Sequence, residues 1–295
     1  ALALHQVPHS KVWFLAMDQN FADLALQHMP GINVGVYNVL LDKVQDPKEG
    51  IEPKPGKRFS VLSRNYRRWR FDFYLRLLEH NLLDSCIYSF HNFDPYNRTK
   101  TTYSIEELGT DAMNLGHDLS DPSIQNWIAK VPYDLPMSHK TNKWSPVTTA
   151  SICQAGIHLL IESHWFVFEH WHDYKHTSPK EFVPGFATEK TYKVMSCRRP
   201  FISVTTPYFL EDMRQLGFKT FSPFINEDYD RIENDNQRMD AIVTEVERIN
   251  NLSVEEYNII LENLKDITEH NFNRYQEIKA NNQLPDWPWL KEYTK

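Results

Sequence analysis

The chain has 295 residues, of which 41% are hydrophobic and 24% charged, a composition that excludes a disordered or fibrous protein and leaves room for two domains. Its nine glycines are few for this length and form neither glycine-rich phosphate-binding fingerprint, which argues against a dinucleotide-binding Rossmann fold and a P-loop phosphotransferase. The net charge of −7 argues against nucleic-acid binding by overall charge, so any such contact must come from a local patch.

Strands and helices alternate over the first hundred residues. Short apolar runs predict strands at 12–17, 32–41, 59–62 and 86–90. Apolar side chains that recur every four residues from Trp69 predict a helix after the third strand, and Asp121 followed by Pro122 predicts the start of another. This alternation is typical of an α/β protein.

The second half repeats the pattern. Apolar runs predict strands at 157–161 and 201–204. Helices are expected to open at Thr188, at Pro207 and, through a capping box, at Ser253.

The segment 131–146 contains three prolines and is taken as the crossing between the halves, although a loop that contacts the acceptor fits it equally. The expected organisation is a first α/β domain over 1–145 and a second over 146–269. A tail over 270–295 could pack back on the first domain.

The segment Phe186-Ala-Thr-Glu-Lys190 gives the strongest functional signal. It places Thr188 as the N-cap of a helix, where unpaired backbone N–H groups and the helix dipole favour a phosphate. Lys190 adds a positive charge for that phosphate, and Glu189 can accept hydrogen bonds from a ribose diol. The simpler alternative is that Thr188 and Glu189 cap the helix without further function.

The order of these elements resembles the nucleotide-sugar half of the fucosyltransferase-like glycosyltransferases. A strand ends at Ile161-Glu162-Ser163, the segment 186–190 follows, and Pro200-Phe201-Ile202 opens the next strand. The run 216–230 and the arginine-rich stretch 63–70 resemble the branch of this group found in phage and large-virus genomes. The loop after Glu162-Ser163 is longer than in typical members, and an intervening asparagine is missing.

The resemblance implies a GT-B arrangement, in which two Rossmann-like domains face a central cleft. The residues 1–145 would form the acceptor side and 146–269 the donor side. Glu189 would hold the ribose, Lys190 the diphosphate, and Glu162 would stand near the donor. The co-substrate would be a nucleoside diphosphate sugar such as a UDP-sugar, with no further cofactor and no metal.

The acceptor hydroxyl is left open by this resemblance. In the phage-like branch it could belong to a hydroxymethylated base in DNA, flipped into the cleft. A surface glycan and a protein are the alternatives.

The basic stretch 54–76 has more than one interpretation. Arg64, Arg67 and Arg68 precede or open the helix after the strand 59–62, and we expect them to clamp the diphosphate. Arginine at a helix start opposes the helix dipole, which favours a local anion as compensation. A solvated helix face is the simpler interpretation. The competing function is a non-catalytic nucleic-acid-binding module that uses this stretch, with aromatic side chains as stacking platforms.

Asp18 follows the first predicted strand and is the candidate catalytic base for the acceptor hydroxyl, although a turn or cap role is common for such a residue. Five histidines lie close together at positions 158, 164, 170, 172 and 176, but their spacing does not match a zinc site. Asp228-Tyr-Asp230 reads D-x-D, a metal-nucleotide signature, but its place before a helix favours capping. No metal site is therefore predicted.

The three cysteines, Cys86, Cys153 and Cys197, are far apart, which predicts neither a disulfide framework nor a zinc ribbon. The first ten residues do not read as a signal peptide, and no apolar run is long enough for a membrane span. We expect a cytoplasmic protein, in the host cytoplasm if the source is viral.

Overall fold

The computed structural model of the chain describes residues 13–16, 25–36, 41, 44, 46–47, 51, 54, 56–93, 102–135, 144–162, 165 and 187–282.

The strands of these residues form two parallel sheets. Strands β1 (Trp13–Ala16) and β2 (Asn33–Val36) pair with each other. The main sheet has the order β4-β3-β5-β6 and consists of β3 (Phe59–Ser63), β4 (Cys86–Phe90), β5 (Ile157–Ile161) and β6 (Phe201–Val204). The strands predicted at 59–62, 86–90, 157–161 and 201–204 are thus confirmed.

Helices connect and cover the strands. They are α1 (Arg68–Glu79), α2 (Ile105–Asn114), α3 (Pro122–Ile128), α4 (Trp144–Cys153), α5 (Glu189–Ser196), α6 (Phe209–Gln215), α7 (Asp235–Asn250), α8 (Val254–Asn263) and α9 (Lys265–Asn281). Asp121 caps α3 by accepting a hydrogen bond from Ser123 N at 2.7 Å, as its sequence pattern predicts.

The main sheet is buried on both faces. Every residue of β5 and of β6 is buried, and Phe71, Phe73 and Leu75 of α1 are fully buried beside the sheet. Continuous apolar strands are typical of parallel sheets that helices cover on two sides. The predicted α/β class is therefore confirmed.

The predicted boundary between 145 and 146 runs through the main sheet. Strands β3 and β4 precede it and β5 and β6 follow it, yet β3 pairs directly with β5 over Phe59–Val61 and Ile157–Leu159. The described residues are therefore not divided between sheets at this position. The arrangement of two facing Rossmann-like domains stays a prediction.

The first part of the predicted tail belongs to α9. This helix packs on α5, with the rings of Tyr192 and Tyr275 6.2 Å apart. Tyr275 and Lys279 also contact Asp46, at 3.2 and 3.4 Å. The predicted boundary at 269 thus falls inside a helix, and residues 283–295 lie outside the described part. No described helix is long and apolar enough to cross a membrane.

Candidate active site at the carboxyl ends of β3 and β5

The candidate site lies where the chain changes direction across the main sheet. From β3 the chain moves outward to β4, whereas β5 and β6 lie on the other side of β3. The carboxyl ends of β3 and β5 are neighbours, and they lead into Arg64 and Glu162 respectively. Ligands of open α/β sheets bind in the crevice at such a switch point.

Glu162 closes the N-terminus of α5. Its side chain is 1% exposed, and its carboxylate accepts hydrogen bonds from the N–H and hydroxyl of Thr188 at 3.0 and 2.6 Å. It also accepts from the N–H and hydroxyl of Thr191 at 3.3 and 2.5 Å. The hydroxyl of Thr188 accepts from Lys190 N at 3.3 Å, so the predicted N-cap is confirmed. A phosphate that used these N–H groups would have to displace Glu162.

Charged side chains surround the same end of α5. Lys190 Nζ lies 3.3 Å from Glu189 Oε1 and 3.8 Å from Glu162 Oε2. Burial acts to raise the pKa of Glu189, but Lys190 and Lys193 outweigh it and hold that pKa below its ordinary value. Burial also lowers the pKa of Lys193. The predicted ribose and diphosphate ligands, Glu189 and Lys190, are therefore partly buried neighbours that compensate each other's charge.

Helix α1 opens on the other side of the crevice without such a cap. Its N-cap residue Arg67 makes no side-chain capping hydrogen bond in the described structure, and its first turn contains no acidic residue. By contrast, α2 and α8 open on complete capping boxes at Ser104 and Ser253. The N–H groups at a helix start carry a partial positive charge that favours an anion.

Arg70 lies beneath this uncapped helix start and is 6% exposed. Its guanidinium donates to the carbonyl oxygen of Glu162 at 2.9 Å and to that of Asn65 at 3.2 Å, and so joins the ends of β5 and β3. Its Nε has no hydrogen-bond partner among the described residues. Burial, reinforced by Arg67, lowers the pKa of Arg70 to about 10, against the attraction of Glu162 and Glu189. A buried cation with an unsatisfied N–H is a costly arrangement that an anionic ligand would relieve.

The three arginines predicted to clamp a diphosphate have different surroundings. Arg67 lies in the field of Arg70 and donates to the carbonyl of Tyr66 at 2.9 Å. Arg68 is half-exposed and points to Asp111 of α2, 3.8 Å away. Arg64 is exposed and follows β3 directly. Arg67 thus lies with the charges of α5 around the crevice, whereas Arg68 is shared with α2.

Other cations of the stretch 54–76 make contacts that stabilise the fold. Arg58 donates to the carbonyls of Ile249 and Leu252 at 2.8 and 2.7 Å and so caps the C-terminus of α7. Lys57 donates to the carbonyl of Asp84 at 2.5 Å. Arg76 bonds to Asp72 at 3.0 Å and reaches α7 through Asp240. These contacts leave fewer side chains of the stretch to follow a polymer.

Contacts with both Trp69 and Arg238 hold Trp165, which follows β5. The rings of Trp69 and Trp165 stack with their centres 5.4 Å apart, and the guanidinium of Arg238 lies 4.2 Å from the centre of the Trp165 ring. Arg238 is almost fully buried and donates to the carbonyls of Trp165 and Thr205 at 2.9 and 3.2 Å. Helix α7 therefore ties together the segments that follow β5 and β6.

The alternatives for metal binding find no support in the described residues. His158 is buried in β5 and its Nδ1 lies 2.8 Å from Ser60 Oγ, while the other four clustered histidines lie outside the described part. Asp230 accepts from Leu210 N at 3.0 Å and so caps α6. The described residues contain no group of three or more potential ligands placed to hold a metal ion. Asp18, the predicted catalytic base, also lies outside the described part.

Sequence reasoning did not single out Arg70, Thr191 and Lys193. Arg67 and Arg70 are three residues apart and therefore share a helix face. This spacing could have placed Arg70, and not Arg68, on the same side of the helix as Arg67. Thr191 and Lys193 stand one and three residues beyond Lys190, within the first two turns of the predicted helix. The role of Thr191 depends on its contact with Glu162, which is distant in sequence and has no local signature.

Comparison of the chain with protein-family models, with curated proteins and with solved structures gives no match. The assignment of function therefore depends on the geometry of the crevice and on the residues that surround it.

Proposed function

We propose that the chain is a glycosyltransferase that binds a nucleoside diphosphate sugar in the crevice between the carboxyl ends of β3 and β5. One observation carries the proposal: Arg70 is a buried cation at the switch point in the first turn of α1, and its Nε has no hydrogen-bond partner among the described residues. An anion is the ligand that such an arrangement favours.

The diphosphate would lie between the start of α1 and Lys190. Arg67, with Arg64 and Arg68 nearer the surface, would add positive charge on the α1 side. Glu189 would accept hydrogen bonds from the ribose. Glu162 would act indirectly, because its carboxylate already holds Thr188 and Thr191 and so fixes the helix turn that carries Lys190 and Glu189.

The reaction would be a displacement at the anomeric carbon by an acceptor hydroxyl. The cations around the crevice would stabilise the leaving diphosphate electrostatically. Asp18 would take the proton of the acceptor hydroxyl. The acceptor would be a hydroxymethylated base in DNA or a glycan.

A thermal-shift screen with UDP, GDP and their sugars tests the proposal. A ligand that binds only the folded chain at a hundred times its Kd should stabilise it by about 2.7 kcal/mol. Lys190→Gln should weaken binding roughly tenfold or more, because a charged hydrogen bond to phosphate is lost. Lys265→Gln, which changes an exposed lysine paired with Glu262, is the matched control and should leave the shift intact.

The proposal fails if no nucleotide or nucleotide sugar raises the melting temperature of the native chain. The nucleic-acid-binding alternative would gain instead if the chain bound DNA in a salt-dependent manner and lost that binding on replacement of Arg64 and Arg68.

A further inference from the structure

Tyr208 has a backbone conformation that a tyrosine rarely adopts. It stands between β6 and α6 with φ 65° and ψ 10°, in the left-handed region. Side chains with a Cβ are disfavoured there, and glycine or asparagine would accommodate the same turn with less strain. Backbone strain of this kind is found where the surrounding structure holds a residue in place, often at functional sites.

The surroundings of Tyr208 hold both its backbone and its side chain. Its N–H donates to the carbonyl of Asp230 at 2.6 Å, and its hydroxyl donates to Glu233 Oε1 at 2.8 Å. The carboxylate of Asp230 accepts from Leu210 N at 3.0 and 3.2 Å and thereby fixes the start of α6 directly after Tyr208. Asp230 thus holds the backbone of Tyr208, and Glu233 holds the hydroxyl of its ring.

Tyr208 lies on the same edge of the sheet as the crevice. It follows the carboxyl end of β6 by four residues, and β6 pairs with β5, so the end of β6 lies about one strand spacing, roughly 4.8 Å, further along that edge. Arg238 binds the carbonyls of both Trp165 and Thr205 and so brings the segment before Tyr208 next to the segment after β5.

We propose that Tyr208 is the residue against which the base of the nucleotide packs, an inference that rests on the proposed function. A planar heteroaromatic ring is the ligand group that stacks best on a fixed tyrosine ring. The phosphates would occupy the cationic crevice, and the base would extend along the sheet edge toward β6. The Tyr208 ring would therefore contribute to the affinity for a nucleoside diphosphate and not to the affinity for inorganic pyrophosphate.

Calorimetric titration of the full chain with a nucleoside diphosphate and with inorganic pyrophosphate tests this inference. Tyr208→Asn tolerates the left-handed conformation and removes the ring, and we expect it to weaken nucleoside diphosphate binding roughly tenfold or more. Pyrophosphate binding should not change. Tyr208→Phe keeps the ring and should retain affinity for the nucleotide. Asn81→Gly, at φ 56° after α1, is the control for relief of strain and should alter neither affinity.

The melting temperature of each variant shows whether it is folded, and Tyr208→Gly replaces Tyr208→Asn if the latter is not. Equal affinity of the native chain and of the ring-less variant for the nucleotide overturns the role of Tyr208 and leaves the proposed function standing. If the native chain binds neither nucleotide nor pyrophosphate, both proposals are overturned.

Discussion

At the scale of single residues, burial determines the protonation of His158. The ring lies inside β5, and burial lowers its pKa to about 3, from an ordinary value near 6.5. Between these two values the unfolded chain binds a proton that the folded chain does not. The contribution of His158 to stability is therefore complete above pH 6.5 and is lost as the pH falls toward 3.

Replacement of His158 should reduce the acid sensitivity of the fold. In His158→Asn, we expect the loss of unfolding free energy between pH 6.5 and pH 4.5 to be smaller by about 2 kcal/mol than in the native chain. Urea unfolding at several pH values measures this difference. His28→Asn, at an exposed histidine, is the control and should leave the slope unchanged. Parallel slopes for the native chain and His158→Asn would show that the buried ring is already protonated.

Glu162 provides a second test at this scale. In Glu162→Gln, the charge that accepts four hydrogen bonds from Thr188 and Thr191 is lost and one acceptor oxygen becomes an NH₂ group, so we expect a loss of about 2–4 kcal/mol of unfolding free energy. Glu189→Gln changes a more exposed carboxylate whose closest partner is Lys190, and we expect it to lose less than about 1 kcal/mol. Equal losses in urea unfolding would mean that the cap of α5 contributes little.

Contacts between residues close in sequence could be predicted, whereas contacts between residues far apart in sequence could not. Thr188 was predicted as an N-cap from its immediate neighbours, and that contact is present. The bond from Glu162 to Thr188 spans 26 residues, and that from Arg70 to Glu162 spans 92. No local pattern contains such contacts, so the hydrogen bonds of Glu162 to the helix start were not predicted.

At the scale of elements, α8 approaches the start of β5 closely at Gly156. A Cβ added there would lie 2.1 Å from the hydroxyl of Tyr257 and 2.9 Å from Leu261, so a glycine is required. The hydroxyl of Tyr257 donates to the carbonyl of Arg58 at 2.7 Å and joins α8 to the residue before β3. The contact therefore sets the distance between α8 and the sheet.

Gly156→Ala should destabilise the fold by about 1–3 kcal/mol through overpacking. In a Tyr257→Phe background the nearest clash disappears, so the same substitution should lose less free energy. A double-mutant cycle by urea unfolding measures this coupling. Additive effects of the two substitutions would contradict the close approach of α8 to β5.

Elements with strong local signals were predicted well, whereas others were missed for identifiable reasons. The largely apolar strands β3 to β6 and the capping box at Ser253 were found. The capping box of α2 at Ser104 and Glu107 was equally readable but was not used. Helix α4 was not predicted, and its first three residues fell in the proline-containing segment 131–146, although a helix tolerates a proline near its start.

At the scale of the whole molecule, the order of the strands in the main sheet could not be predicted from the sequence. The pairing of β3 with β5 joins residues about a hundred positions apart, and parallel pairs of this kind depend on helices that cover the sheet from both sides. The negative net charge directed attention to a local patch, yet within the basic stretch 54–76 Arg58 caps α7 and Arg76 pairs with Asp72 and Asp240.

Hydrogen–deuterium exchange, with and without the nucleoside diphosphate that binds best, tests the location of the site most directly. The first N–H groups of α1 have no acceptors within the helix, so a bound diphosphate should slow exchange in peptides that span 63–70. Exchange should also slow over 187–193 and should not change over 254–263, which lies on the helix that packs at the opposite, amino end of β5. Ligand-dependent slowing confined to other segments, with 63–70 and 187–193 unchanged, would contradict a nucleotide site in this crevice.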